Sequence, residues 1–146
     1  MKKFTLFLMA TLLIASSAIA GNNVKDIKVK NLPPITQRII NSYFPDIELI
    51  KVQKQKIKGG NPFLVELNDG TKLEFDKDGQ WAYVDCGNNP VPSRMIPLKI
   101  NSYVQSNYPA DAIVKMLKNK KGNYEIYLTG GKMLNFDNQF RFIEAE

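Results

Sequence analysis

The sequence predicts an α+β protein built as a tandem repeat of two units, each a helix followed by a four-stranded antiparallel sheet. Two observations predict this fold. The segment 32–85 is repeated, with substitutions, at 96–145. In each copy an apolar stripe of helical period precedes short runs in which apolar and polar residues alternate, and these periods are typical of amphipathic helices and half-buried strands. A pattern that recurs at this length marks a repeated structural unit.

The two copies share motifs in the same order. The helical segment opens and closes with matching motifs, which are Leu32-Pro33 with Ile96-Pro97 and Tyr43-Phe44-Pro45 with Asn107-Tyr108-Pro109. Two strand motifs also match, which are 63–70 with 124–131 and 73–76 with 134–137. The offset between the copies shortens from 64 to 61 residues between the helix and these strands, so the first copy has three additional residues near Gly59, Gly60 and Asn61.

Residues 1–20 have the composition of an export signal. Lys2 and Lys3 precede the apolar run 4–15, and Ala18-Ile19-Ala20 is the small-residue pattern that signal peptidase accepts. A bilayer span needs roughly 17 to 25 apolar residues, which is more than this run supplies. We therefore predict cleavage after Ala20, no membrane span in the remaining chain, and a periplasmic or secreted location.

The first repeat is predicted to cover residues 32–86, after an N-terminal arm or short edge strand at 21–31. Its helix presents an apolar stripe and ends at a proline, and these residues are Ile35, Ile39, Ile40, Tyr43 and Pro45. Its four strands are predicted at 47–56, 63–67, 71–75 and 80–85, with hairpin turns at Asp69-Gly70 and Asp78-Gly79.

A linker rich in turn-forming residues, 87–95, leads to the second repeat at 96–146. The helical stripe returns as Ile96, Ile100, Tyr103 and Val104, and the strands return at 112–119, 123–128, 132–136 and 140–145. Each repeat alone is near the lower limit of size at which a chain folds unaided. We therefore expect the two repeats to stack or to share one sheet.

One face of each predicted sheet keeps its apolar residues between the copies, and we expect that face to cover the helix. The matched residues are Phe63, Val65, Leu67, Leu73 and Phe75 in the first copy and Tyr124, Ile126, Leu128, Leu134 and Phe136 in the second. The opposite face changes its chemical type, because Glu66 is replaced by Tyr127 and Lys72 by Met133. A surface that no helix covers is free to diverge in this way.

The diverging face is the predicted site for a protein partner, because exposed aromatic residues beside charges are typical of protein interfaces. The candidate partner-binding residues are Glu66, Asp69, Lys72, Glu74, Tyr127 and Met133. The alternative is that Tyr127 and Met133 are scattered surface residues of no special role.

The composition gives no support to catalysis. The chain has no histidine, which excludes the commonest general base and the usual zinc sites. The run 76–79 is similar to the start of a calcium loop, but it lacks the closing glutamate and is better interpreted as a hairpin turn. No catalytic residue, metal site or cofactor is predicted.

Cys86 is the only cysteine, so the chain cannot form an internal disulfide. We interpret it as a half-buried free thiol at a strand end, with an intermolecular disulfide or a reactive thiol as the alternative.

A row of lysines lies along the first predicted strand of each repeat and continues past its end. The residues are Lys51, Lys54, Lys56 and Lys58 in the first repeat, and Lys115, Lys118, Lys120 and Lys121 in the second. Lysines near a sheet edge prevent unwanted strand pairing, and we expect this role, with a polyanion site as the alternative. The formal charge is +6, and it falls to +4 without Lys2 and Lys3. Nucleic acid is not an expected partner of an exported protein.

Trp81 and Tyr83 provide an alternative ligand-binding site. They are two residues apart in a predicted strand, so we expect them on one face, where a sugar or other small ligand could stack at the seam between the repeats. Trp81 also matches Phe142 of the second copy, which favours packing of Trp81 in the core.

These residues together resemble the putative beta-lactamase-inhibitor-like, PepSY-like family of exported bacterial proteins. The resemblance is carried by the helix motifs above, by Val-Glu-Leu-Asn-Asp-Gly at 65–70, by Glu-Phe-Asp-x-x-Gly-x-Trp at 74–81 and by Val-Asp-Cys at 84–86. The second copy departs from the pattern, with Phe140 in place of Gly79 and Gly130 in place of Asp69.

The resemblance implies two PepSY-like modules in tandem, as in beta-lactamase inhibitor proteins, whose concave sheet grips an enzyme. It therefore implies a non-enzymatic exported binding protein that presents an open sheet face to a protein partner in the cell envelope, such as an enzyme that it inhibits or modulates. A small-ligand or glycan-binding module stays open as the alternative.

Overall fold

The computed structural model describes residues 23–146, and the export signal predicted for residues 1–20 lies outside them. Within these residues, nine strands and two α-helices follow one another. In order they are β1 (Val24–Asp26), α1 (Pro34–Tyr43), β2 (Leu49–Gln55), β3 (Phe63–Leu67), β4 (Lys72–Phe75), β5 (Trp81–Asp85), α2 (Leu98–Asn107), β6 (Ile113–Lys118), β7 (Tyr124–Leu128), β8 (Met133–Phe136) and β9 (Phe142–Ala145). Short 3₁₀ turns at Val29–Asn31 and Ser93–Met95 precede the two helices.

All nine strands form one antiparallel sheet in which each strand pairs with its sequence neighbours, from β1 at one edge to β9 at the other. The α+β prediction is confirmed at this level. The order of one helix and four strands occurs twice. The register of strand pairing also shifts at corresponding places in the two halves. The shift between Leu49 and Lys51 matches that between Ile113 and Lys115, and the shift between Glu74 and Phe75 matches that between Asn135 and Phe136.

The first helix sits closely on the turn between β4 and β5. The hydroxyl of Thr36, which is fully buried, donates a 2.8 Å hydrogen bond to the carbonyl oxygen of Gly79. Gly79 has φ +82°, and a Cβ atom there would lie 2.6 Å from Cγ2 of Ile35. Only glycine provides both the left-handed backbone and the space. In the second half Phe140 takes this place with φ 63°, and its ring packs 5.6 Å from that of Tyr124.

The core lies between the helices and one face of the sheet. All ten residues predicted for the covered face are buried, as the matched alternation indicated. The α2 residue Tyr103 stacks on Phe142 at 4.6 Å and meets Phe136 edge-on at 5.4 Å between ring centres. Each helix has ten residues, and in the described part of the chain neither is long and apolar enough to cross a membrane.

The segment 87–95 contributes to the core as well as joining the two halves. Val91 and Met95 are both buried, and the backbone N–H of Val91 donates to the carbonyl oxygen of Ile113 at 2.8 Å. Because both halves share this core and one continuous sheet, they are held in a fixed arrangement.

Candidate functional site

The candidate site is the sheet face that is turned away from both helices, which we call the open face. Strand pairing arranges its side chains in two rows across the sheet. The first row contains Lys51, Glu66, Lys72, Asp85, Lys115, Tyr127, Met133 and Glu146. The second row contains Asp26, Gln53, Leu64, Glu74, Tyr83, Leu117, Glu125, Asn135 and Glu144.

Five of the six predicted partner-binding residues lie on the open face, and they are Glu66, Lys72, Glu74, Tyr127 and Met133. Asp69 lies instead at the end of the sheet, in the turn between β3 and β4. Its Oδ1 atom accepts a 2.9 Å hydrogen bond from the backbone N–H of Thr71. The Asp69 carboxylate therefore has a local role in the turn.

Lys115 lies at the centre of the open face between two tyrosines. Its Nζ atom is 4.6 Å from the ring centre of Tyr127 and 5.4 Å from that of Tyr83, within the range of cation–π attraction. The Tyr83 hydroxyl donates a 3.1 Å hydrogen bond to Oδ2 of Asp85. Leu117, next to this group, is only 7% exposed although neither helix covers it. The face therefore has a packed aromatic and aliphatic centre.

Lys115 and Leu117 were not among the predicted site residues. Alternation along β6 is enough to place these two residues on the same face of the sheet. Their contact with Tyr83 could not be predicted in this way, because Tyr83 belongs to β5 and lies beside them only through the β5–β6 pairing. That pairing joins the two halves of the chain, and no motif in the sequence fixes its register.

The open face is acidic although the chain as a whole is basic. Seven carboxylates and three lysines belong to its two rows, whereas the whole chain has a formal charge of +6. A concentrated field of one sign steers partners of the opposite sign and raises their association rate. The open face is therefore suited to a positively charged surface.

The ionisable groups of the open face are partly dehydrated. Burial raises the pKa of the Glu74 carboxyl, and a hydrogen bond from the Asn61 side chain opposes this effect. Burial also raises the pKa of Glu125, and the nearby Lys115 ammonium opposes it. Burial, followed by the charges of Glu125 and Glu146, raises the pKa of the Tyr127 hydroxyl. Ion pairs formed with a partner in such a setting are stronger than pairs in bulk water.

Trp81 and Tyr83 lie on opposite faces of the sheet, so the prediction that they share one face is wrong. Trp81 pairs with the buried Phe75, and Tyr83 pairs with Glu74 on the open face. Ala82 has no partner opposite it at this bulge, which interrupts the alternation of the strand. The Trp81 side chain is 9% exposed, as its match with Phe142 indicated, and the two residues do not form one stacking platform.

The lysine rows do not protect a sheet edge, so that prediction is also wrong. Strands β2 and β6 both have a neighbouring strand on each side. Lys54 and Lys118 instead cover aromatic rings, with Nζ 5.5 Å from the Phe63 ring centre and 4.5 Å from that of Trp81. Burial lowers the pKa of Lys118.

Asp76 stabilises a hairpin turn, as predicted for this run. Its Oδ1 atom accepts hydrogen bonds from the backbone N–H groups of Asp78 at 2.9 Å and Gln80 at 3.0 Å. Within residues 23–146, no group of three or more histidine, cysteine, aspartate or glutamate side chains is arranged to hold a metal ion.

Cys86 is a free thiol and is more deeply buried than we expected, with 5% of its surface exposed. Burial raises the pKa of the thiol to about 11, and a hydrogen bond with the Thr71 side chain opposes this effect. The environment therefore disfavours the reactive thiolate.

Solved structures of periplasmic proteins share this fold. One, from Bacteroides thetaiotaomicron, is described as "a putative calcium-regulated periplasmic protein"; it is 33% identical with a TM-score of 0.80, over 84% of this chain and 96% of that chain. Another, a putative periplasmic protein of the DUF2874 family from Bacteroides vulgatus, is 33% identical with a TM-score of 0.80, over 86% of this chain and 98% of that chain. A third, a putative periplasmic protein of unknown function from Bacteroides vulgatus, is 31% identical with a TM-score of 0.78, over 86% of this chain and 99% of that chain.

Among curated proteins, none matches the chain. The predicted periplasmic or secreted location is confirmed by the structural neighbours, all three of which are described as periplasmic. The profile of the family described as "Putative beta-lactamase-inhibitor-like, PepSY-like" matches residues 61–144, from the loop before β3 into β9. The chain belongs to this PepSY-like family of putative beta-lactamase-inhibitor-like proteins.

Proposed function

We propose that this is a non-enzymatic binding protein of the cell envelope that presents its open face to a protein partner, as an inhibitor or modulator of an envelope enzyme. The observation that carries the proposal is the composition of that face. Tyr83, Lys115 and Tyr127 form a packed centre, and carboxylates surround it. Buried aromatic anchors within a charged rim are typical of protein interfaces.

The partner surface is expected to be basic. Glu74 and Glu125 both have a raised pKa because of burial, so each carboxylate lacks part of the water that would solvate it. An arginine or lysine of the partner would restore that stabilisation. Binding should therefore weaken with added salt, and the association rate should change more than the dissociation rate when charges at the rim are removed.

We also propose that residues 32–86 and 96–146 are tandem PepSY-like repeats preceded by an arm at 21–31 and joined by the linker 87–95. The recurring order of elements and the matched slips in strand pairing support this division. Placing two such units edge to edge through β5 and β6 doubles the width of the open face. A wide, continuous sheet is more suitable for a protein than for a small ligand.

The proposal can be tested by crosslinking the protein in the envelope. A photoreactive amino acid at Tyr127 should capture a partner, whereas the same group at Leu98, which is 80% exposed on α2, should not. The captured protein would then be purified and its affinity measured by calorimetry. The double variant Glu66→Ala/Tyr127→Ala should bind at least about tenfold more weakly, with a melting temperature close to that of the wild type.

The same purified partner allows the functional part of the proposal to be checked. If the partner is an enzyme, its activity should change on addition of the wild type and should change much less with the double variant. Capture from Leu98 and not from Tyr127 would contradict the choice of face. A large fall in the melting temperature of the double variant would show that Glu66 and Tyr127 are structural residues.

A further inference from the structure

Two lysine-bearing loops meet at one end of the sheet. The backbone N–H of Gln55 donates to the carbonyl oxygen of Pro62 at 2.8 Å, and that of Asn119 donates to the carbonyl oxygen of Asn123 at 3.0 Å. These bonds close the loops 56–61 and 120–122, so the first loop contains the three additional residues of the first copy. The additional residues extend this loop beyond the end of the strands.

The longer loop turns toward the second half of the molecule. Its Asn61 side chain lies close enough to Glu74 of the open face to affect the pKa of that carboxyl. At Gly59, an added Cβ atom would lie only 3.3 Å from Nζ of Lys120. Loops that belong to β2 and β6, four strands apart in the sheet order, are therefore in contact. The contact gathers lysines from both halves at one place.

We call the resulting surface the basic end patch, and it consists of Lys56, Lys58, Lys77, Lys120 and Lys121. All five side chains are exposed. Among residues 23–146, none of the five has a carboxylate partner within 4.0 Å. Asp76 and Asp78 lie in the turn that carries Lys77, but the Asp76 carboxylate is occupied by hydrogen bonds to the backbone of that turn.

The two ends of the sheet differ in charge. The loops and turns at the patch end, 56–62, 76–80, 119–123 and 137–141, carry six basic and three acidic side chains. The segments at the other end, 44–48, 68–71, 86–92, 108–112 and 129–132, carry one basic and four acidic side chains. A negatively charged surface would therefore attract the molecule and orient it with the basic end patch first.

An apolar side chain stands among these charges. Ile57 lies between Lys56 and Lys58 in the longer loop and is 39% exposed. An exposed isoleucine adds no binding energy to a complex with a soluble polyanion. At a bilayer surface, however, the apolar side chain can enter the headgroup region while the neighbouring lysine ammonium groups contact the lipid phosphates. The patch consists of lysines, whose flexible ammonium groups suit a diffuse anionic surface and need no fixed bidentate geometry.

We propose that the basic end patch binds the surface of a bilayer containing anionic phospholipid, with Ile57 entering the headgroup region. This interaction would direct the strands away from the membrane and leave the open face available to a partner beside it. The proposal does not depend on the proposed function, because the patch residues and the candidate partner-binding residues are different.

Sedimentation with lipid vesicles tests the proposal, using protein recovered from the periplasm of an expression host. The protein should bind vesicles of three parts phosphatidylcholine to one part phosphatidylglycerol in 0.1 M salt, and should be released in 0.5 M salt. Each lysine near an anionic surface is expected to contribute roughly fivefold in binding. The variant Lys56→Ala/Lys58→Ala/Lys120→Ala/Lys121→Ala should therefore bind at least about a hundredfold more weakly.

A matched variant removes four exposed basic residues elsewhere, namely Lys28→Ala/Arg38→Ala/Lys99→Ala/Lys132→Ala, and it should keep most of the vesicle binding. Ile57→Ser should weaken binding to vesicles but leave binding to heparin, a soluble polyanion, unchanged. Equal losses in the two quadruple variants would show that only net charge matters and would overturn the proposal. So would absence of vesicle binding by the wild type, or an Ile57→Ser variant that binds vesicles as well as the wild type.

Discussion

The Thr36 hydroxyl and the Gly79 carbonyl oxygen are 2.8 Å apart in the buried contact between α1 and the β4–β5 turn. Replacing Thr36 with valine keeps the shape of the side chain and leaves the buried carbonyl without this donor. We expect a loss of about 1 to 3 kcal/mol in the free energy of unfolding, measured with denaturant. Ser42→Ala, at an exposed position of the same helix, should change it by less than about 0.5 kcal/mol. An unchanged stability for Thr36→Val would show that water replaces the hydroxyl.

The close approach at Gly79 gives a second prediction. Gly79→Ala introduces both an unfavourable φ and a collision, because its Cβ would lie 2.6 Å from Ile35 and 2.8 Å from Pro33. Gly131 has a similar φ of +89° and open space around the site of its Cβ, so Gly131→Ala measures the backbone effect alone. We expect roughly 1 kcal/mol for Gly131→Ala and more than about 2 kcal/mol for Gly79→Ala. Equal losses would mean that α1 moves aside without cost.

The covered face of the sheet could be predicted because alternation within one strand is a local property. Val65 and its match Ile126 are apolar in the same register of each copy, and both are buried. Thr36 shows the limit of this reasoning. It lies one turn before Ile40 and matches Ile100 of the second copy, so its position belongs to the apolar stripe, but the pattern does not explain why a polar side chain is fully buried there. Its burial depends on a hydrogen-bond acceptor that lies 43 residues away along the chain.

The open face was predicted only in part, because its centre depends on pairing between distant strands. Glu66 and Tyr127 follow from comparing the two copies, but the position of Lys115 between two tyrosines requires the register of β5 on β6. The error at Trp81 and Tyr83 has a local cause. One bulge residue shifts the alternation, and the sequence of β5 has no glycine or proline that would indicate a bulge.

Cys86 is predicted to be unreactive in the folded protein. Its pKa is raised to about 11 by burial, so the thiolate fraction at pH 8 is on the order of a hundredfold below that of an ordinary cysteine. Reaction with Ellman's reagent should be at least about a hundredfold slower in the native protein than in guanidinium chloride. Cysteine introduced at the exposed position Ser106, in a Cys86→Ala background, provides the accessible control. Rapid native labelling of Cys86 would instead support the reactive thiol.

Glu74 is predicted to reduce stability at neutral pH. Burial raises the pKa of its carboxyl in the folded state, so the folded protein binds the proton more tightly than the unfolded chain does. The protonated carboxyl therefore contributes fully to the stability of the fold below the pKa of the unfolded state. This contribution is lost as the pH rises through the pKa of the folded state. Glu74→Gln keeps an acceptor for Asn61 and removes the charge, so its melting temperature should exceed that of the wild type at pH 7.

The difference between Glu74→Gln and the wild type should shrink as pH falls from 7 to 4, because the wild-type carboxyl then becomes neutral. Calorimetric melting at several pH values measures this directly, with the exposed Glu48→Gln as the control. A lower melting temperature for Glu74→Gln at pH 7 would show that the charged form is favoured in the fold. If the predicted gain is found and the same variant binds the captured partner more weakly, then the carboxylate lowers stability and is needed for binding, as expected of a residue in an interface.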